Sequence, residues 1–252
     1  MQIRQIRNAT LKIKYCGITF LIDPWLQDKG TGFSAKAVRP EMQGVKCPMN
    51  DLPDTPEKEL TDVDCCLVTH LHFDHFTPDY LPRDLKIIAQ NRADAATLQS
   101  HGFENVSFFE GNFVTIGNVT IYKTIAVHGE NDSVVEQMGE ASGYVFEATG
   151  ENRLYLTGDT VFCQAVTDVL DQYQPEVIIL NCCGATIPLG RLIMDLSDVE
   201  RVCKAAPEAT VIASHLDSVN HATFTADDVR GFVMDRKLRQ VLVPCNGESI
   251  EI

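Results

Sequence analysis

Apolar and polar positions alternate with a period of two through QIRQIR, LKIKY and ITFLIDP at the start of the chain. This pattern predicts three strands, with Cys16 and Gly17 turning the second into the third. Residues 27–60 keep no steady period and are rich in proline and glycine. They are expected to form a long loop insertion without regular elements, and loops of that length often act as lids.

Beyond residue 60 short apolar runs alternate with helical patterns. VDCCLVTH reads as a buried strand, DLKIIAQ as another, ADAATLQSHGF as a helix stopped by Gly102, and NVSFFE as a strand. FVTIGNVTIYKTIAVH predicts a hairpin turned at Gly117, and GYVFEATGENRLYLTGD one turned around Gly150. Three helix-then-strand pairs follow: AVTDVLDQY before EVIILN, SDVERVCKAA before ATVIASH, and TADDVRGFVMDR before QVLVP and SIEI. Strand pairs followed by βα units, twice over, predict an α/β fold: a four-layer αββα sandwich over residues 1–252, read as one domain with no internal linker.

Composition narrows the setting. A net charge of −14, from 21 basic and 35 acidic residues, repels polyanions and argues against nucleic acid or an anionic membrane as partner. It leaves room for a small-molecule substrate and for homo-oligomers. No run approaches the ~18–20 apolar residues that cross a bilayer, and the first residues read as a strand instead of a signal peptide. Nine cysteines cannot all pair within the chain, and no pair has zinc-knuckle spacing. A reducing, cytoplasmic location is the simplest expectation.

The chemistry concentrates in VTHLHFDHF, where His70, His72, Asp74 and His75 include three of the chain's seven histidines. His70 and His72, two apart at the end of a buried strand, point the same way and suit one metal ion. Asp74 and His75 follow as the chain turns and suit the start of a second site. Further ligands stand at strand ends: His128 after TIYKTIAV, Asp159 after RLYLTG and His215 after ATVIAS, the place where α/β folds put their sites.

This ligand order resembles that of the metallo-β-lactamase-fold hydrolases. ITFLIDPWL, LYLTGDTVF, IILNCCGAT and VIASHLDSVNH are similar to the branch that contains the ascorbate-6-phosphate lactonase and many bacterial and fungal relatives. The resemblance implies that His70, His72 and His128 bind one metal, that Asp74, His75 and His215 bind a second, and that Asp159 bridges both. It implies two divalent ions, zinc first, with manganese or iron as alternatives. It implies a metal-bound hydroxide that cleaves a lactone, ester or phosphate-containing small molecule, with Asp74 orienting the hydroxide and His221 or a water protonating the leaving group. A single-iron oxidoreductase of the persulfide-dioxygenase kind and a non-catalytic metal-bound module are the competing readings. A tRNA-processing nuclease is disfavoured by the charge, and a β-lactamase by the lack of an export signal.

Asp23 is either a carboxylate that orients a metal-bound histidine or an Asp-Pro turn residue. His221 is a proton donor, a substrate contact or a surface histidine. Phe33, Arg39, Met42 and Arg191 are candidate substrate contacts, with a solvated loop cation as the favoured alternative for Arg191. His101 reads as structural. Cys182 and Cys183 stand where relatives more often carry glycine or alanine.

Overall fold

The structure is a computed structural model that describes residues 1–252. Strands β1 (Gln2–Arg7), β2 (Thr10–Tyr15) and β3 (Ile18–Ile22) form an antiparallel meander, and β4 (Cys65–Val68), β5 (Ile87–Ala89) and β6 (Val106–Phe108) continue that sheet in parallel. The second sheet repeats the plan. Strands β7 (Phe113–Ile116), β8 (Val119–Ala126), β9 (Ala141–Glu147) and β10 (Leu154–Leu156) are antiparallel. Strand β11 (Val177–Asn181) follows in parallel. After the small hairpin β12 (Thr186–Ile187) and β13 (Gly190–Arg191), β14 (Thr210–Ser214) and β15 (Val241–Leu242) complete the parallel half. The last strand, β16 (Ser249–Glu251), returns to pair antiparallel with β1.

Period-two burial explains the layering. Phe20, Ile22, Cys65 and Leu67 point inward and meet Ile121, Phe146, Leu156 and Ile179 of the other sheet in one apolar cluster. Their neighbours Leu21, Cys66 and Val68 point outward, where Ala95 and Leu98 of a covering helix pack on them. Helix α1 is the single turn Pro56–Glu59, and α2 spans Arg92–Ser100. On the far face of the second sheet, Tyr155, Ile178, Leu180 and Val211 pack under α4 (Gln164–Tyr173), α5 (Leu196–Ala205) and α6 (Ala226–Arg236). The αββα sandwich expected from the sequence is therefore present. Helix α3 (Asp132–Met138) lies in a stretch the sequence pattern left as loop.

Residues 27–60 also differ from expectation. They contain a 3-10 turn at Pro40–Met42 and the turn of α1. The remainder is held by backbone bonds such as Gly32 N to Cys47 O (2.8 Å) and Cys47 N to Phe33 O (2.7 Å). The buried Arg7 guanidinium donates to the carbonyls of Asn50, Trp25 and Gln27. No helix is long and apolar enough to cross a membrane.

Candidate metal centre

Strands β3 and β4 run parallel, and β8, β10, β11 and β14 share one direction in their sheet. Their C-terminal ends deliver the polar side chains. Strand β4 stops at Val68, two residues before His70, so the extended geometry assumed from the sequence does not reach the histidines. A tight turn does the work instead: the N–H groups of His75 and Phe76 both donate to the carbonyl of His72, at 2.9 and 3.0 Å. It folds Asp74 and His75 back beside His70.

All seven expected side chains converge. His70 Nε2 lies 2.9 Å from His72 Nδ1, which lies 3.2 Å from His128 Nε2. His75 Nε2 is 3.2 Å from His215 Nε2, and Asp74 Oδ2 is 3.2 Å from that same nitrogen. Asp159 Oδ2 stands between the groups, 3.2 Å from His75 Nε2, 3.5 Å from His128 Nε2 and 3.9 Å from His215 Nε2. Three sets, His70–His72–His128, His70–His75–Asp159 and Asp74–His75–His215, each keep their donor atoms within 4.8 Å of one another. A tetrahedral zinc ion with ligands ~2.0–2.1 Å away spaces them about 3.3 Å apart, so the donor spacing fits a divalent cation.

The groups behind the imidazoles support the same fit. His128 Nδ1 faces the Leu192 carbonyl at 3.0 Å, and a carbonyl only accepts, so Nδ1 carries the proton and Nε2 turns a lone pair inward. His75 Nδ1 faces Asp23 Oδ2 at 2.7 Å. His70 Nδ1 faces the Thr69 hydroxyl at 3.1 Å, and that hydroxyl donates to Asp23 Oδ2 at 2.6 Å. His215 Nδ1 faces Cys183 Sγ at 3.5 Å. Asn181 Nδ2 donates to Asp159 Oδ1 at 2.7 Å, which leaves Oδ2 for the cluster. Asn8 Nδ2 donates to the backbone carbonyl of Asp74 at 3.1 Å. Asp23 is thus an orienting carboxylate and more than a turn residue. Thr69, Asn8 and Asn181 have no signature in the sequence pattern.

Residues 2–215 match the family model described as a beta-lactamase superfamily domain. The chain belongs to that superfamily. It is a metal-dependent hydrolase of the metallo-β-lactamase fold, as its resemblance implied. It is 39% identical over 256 residues to the UPF0173 protein YddR of Bacillus subtilis, covering 99% of each chain. It is 30% identical over 196 residues to a UPF0173 metal-dependent hydrolase of Methanosphaerula palustris, covering 76% of this chain and 85% of that one. The crystal structure of an isothiocyanate hydrolase from Delia radicum gut bacteria superposes with a TM-score of 0.94 at 35% identity, over 100% of this chain and 99% of the other. The narrower resemblance to the ascorbate-6-phosphate lactonase branch gains no support from these relatives.

The superfamily site divides electrostatically. Burial holds His70 well below the usual imidazole range, aided by His75 and His72. Burial together with His128 brings His72 down to about 4, and burial lowers His128 as well. These three are neutral donors. Burial also disfavours a charged His75, but the carboxylates of Asp159 and Asp23 outweigh it and hold His75 up to about 10. His215 is raised in the same way, against its burial, by Asp159 above all. Burial works against the ionised forms of Asp74 and Asp159 too. The hydrogen bond from His215 and the charge of His75 nonetheless keep Asp74 far below the carboxylate range, and His75 and His215 do the same for Asp159.

A cavity of about 520 Å³ opens over this cluster, with His72, Asp74, His128, Asp159 and His215 in its floor. Phe33, Phe73, Met138, Ile187, Leu189 and Leu192 form apolar walls, and Lys36 is the one lysine or arginine of the lining. Phe73, between two of the donors, is 72% exposed and packs 6.2 Å from Phe33, centroid to centroid. Of the expected substrate contacts, Phe33 lines this cavity; Arg39, Met42 and Arg191 do not. Arg191 is not a solvated cation either: it pairs with Asp198 at 2.5 Å and Asp195 at 3.5 Å. These pairs tie down the segment whose next residue, Leu192, orients His128. His221 is buried, lines the cavity, and leaves Nδ1 without a partner. It is therefore no surface histidine. His101 caps α2 as a structural residue.

Proposed function

We propose that the seven donors hold two divalent cations, zinc first, with manganese or iron as alternatives. One would sit at His70, His72 and His128, the other at Asp74, His75 and His215, with Asp159 reaching both. The chain would act as one domain over residues 1–252, with part of the 27–60 segment as a cavity wall. Its substrate is a small, uncharged, partly apolar molecule with an electrophilic carbon: a lactone, an ester or, by likeness to the isothiocyanate hydrolase, an isothiocyanate.

The observation that carries this reading is the cavity itself. Donors floor it, apolar side chains wall it, and Lys36 is the one lysine or arginine of the lining. The apolar walls favour a substrate with an apolar body, and phosphate esters come last because, beyond the cations of the floor, a single lysine and no arginine stand ready to hold the remaining phosphate oxygens.

Bound at these donors, divalent cations supply a water acidified from ~15.7 toward about 7 and positive charge for the oxygen or sulfur that gains electrons. The Asp74 carboxylate, buried yet ionised, orients the attacking water and accepts its proton. The proton that Asp74 takes passes on to the departing oxygen or nitrogen, and His221, lowered by burial and so neutral, donates a hydrogen bond to that atom from a ring whose Nδ1 has no protein partner. Phe33 meets the His221 ring edge-on at 6.2 Å and keeps bulk water from it. The complete Asp74–His75–His215 set supports a hydrolase over a single-iron oxidoreductase.

The test is a panel of isothiocyanates, lactones, carboxylic esters and phosphate monoesters, with metal content measured on the same protein. The expected result is two equivalents of metal and turnover of a neutral class, lost by about 100-fold or more in Asp74→Ala and His215→Ala. Full activity in both variants, or cleavage of phosphate monoesters alone, would refute the reading.

A further inference from the structure

Four imidazoles at the centre have their outward nitrogens backed by different groups. Asp23 stands behind His75 at 2.7 Å, the Leu192 carbonyl behind His128 at 3.0 Å, and the Thr69 hydroxyl behind His70 at 3.1 Å. Behind His215 there is only Cys183 Sγ, at 3.5 Å. Sulfur is a weak acceptor compared with a carboxylate, carbonyl or hydroxyl oxygen. Cys183 is fully buried and His215 nearly so, so this contact is not supplemented from solvent.

The backbone adds to the contrast. His215 adopts φ +61°, a left-handed conformation that a histidine keeps only where its surroundings fix it. Its N–H donates to the carbonyl of Asn8 at 3.1 Å, which settles where the residue sits. Asn8 Nδ2 stands 3.2 Å from Nε2 on the cation side of the ring, and on the Nδ1 side the ring has the sulfur alone. Cys182, the adjacent thiol, faces the Ser214 carbonyl at 3.9 Å and no imidazole. The two neighbouring cysteines are equally buried but differ in this one contact.

We propose that Cys183 is a positioning residue for the cation held by Asp74, His75 and His215. Its sulfur accepts the Nδ1 proton of His215 and so turns the Nε2 lone pair toward that cation. Because it is the weakest acceptor of the four backing groups, His215 is the least firmly aimed of these imidazoles, and the cation it serves is the one whose binding Cys183 tunes. This inference rests on the two-cation reading given above.

The experiment titrates the metal-stripped chain with zinc, and in parallel with cobalt(II), by calorimetry and absorption. The original chain is compared with Cys183→Ala, Cys183→Ser and Cys182→Ala. The original chain takes up two equivalents in two steps. Cys183→Ala weakens only one of the two steps, by about 10–100-fold, the usual cost of losing a group behind a ligand, and changes the cobalt spectrum of that step alone. Cys183→Ser, with a hydroxyl acceptor, restores most of the loss, and Cys182→Ala matches the original chain. The inference is overturned if Cys183→Ala leaves both steps unchanged, weakens both steps alike, or is reproduced by Cys182→Ala. Uptake of a single equivalent by the original chain overturns the two-cation reading and this inference with it.

Discussion

Asp23 Oδ2 lies 2.7 Å from His75 Nδ1, while Oδ1 of the same carboxylate accepts the backbone N–H of Thr69 at 2.7 Å. One buried side chain therefore sets both the path of the chain after β4 and the aim of an imidazole that the path carries. Asp23 itself sits at φ +44°, a region that aspartate and asparagine enter more readily than other residues.

Asp23→Asn separates these two roles. The amide oxygen still accepts from Thr69, so the fold is expected to survive. The negative charge behind His75 is lost, and affinity for the cation it faces should fall by about 10–100-fold. Metal titration checks the affinity, and circular dichroism checks the fold. Unchanged affinity would mean that the carboxylate serves the turn alone.

Gly158→Ala tests how Asp159 is presented. Gly158 has φ +63°, and a Cβ placed there would stand 2.3 Å from the Ser142 carbonyl oxygen. Backbone would have to move on one side or the other. Loss of the chain's ability to take up metal is expected, together with a stability loss on the order of 1–3 kcal/mol. Thermal denaturation and metal analysis read the two effects.

The donor set was legible because it obeys a simple rule: a lone polar residue closing an apolar run, as at His128, Asp159 and His215, marks a strand end at the site edge. The two-sheet plan was legible from period-two runs long enough to be unambiguous. Other parts had no local signature. Asn131 caps α3 by accepting from Val134 N, but only Val134 of that helix is buried, so no apolar stripe announces it. Asn8 contacts Asp74 and His215 across 66 and 207 positions, and nothing near residue 8 shows this. Arg191 was misread because its pairing with Asp195 and Asp198 depends on how the short segment between β13 and α5 bends back, which no apolar periodicity announces.

Metal uptake should release protons. In the cation-free chain Asp159 and Asp23 hold His75 up to about 10, so at neutral pH its imidazole is charged and a cation must displace that proton. Apparent metal affinity should therefore rise as pH climbs toward about 10 and level off beyond it. Calorimetry in buffers of different ionisation heat should show about one proton or more released per chain at pH 7. Buffer-independent heats would contradict this assignment.

Asn220 links the wall of the cavity to its floor. Its Oδ1 accepts from Ala35 N at 3.0 Å, and its Nδ2 donates to the carbonyls of Ala35 and Met42 at 2.8 and 3.0 Å. Its own N–H points to Cys47 Sγ at 3.2 Å, and the next residue is His221. One fully buried amide thus fastens residues 35–47 beside His221 in the cavity lining. Asn220→Ala leaves several buried partners unsatisfied, at about 1–3 kcal/mol, and frees Phe33, Ala35 and Lys36 from their places in the lining. Because no donor of the metal centre contacts this amide, metal stoichiometry should stay the same. The expected signature is faster proteolysis within residues 35–47, a raised KM and a smaller change in kcat. If kcat collapses while KM holds, this segment serves the chemistry directly and not the holding of substrate.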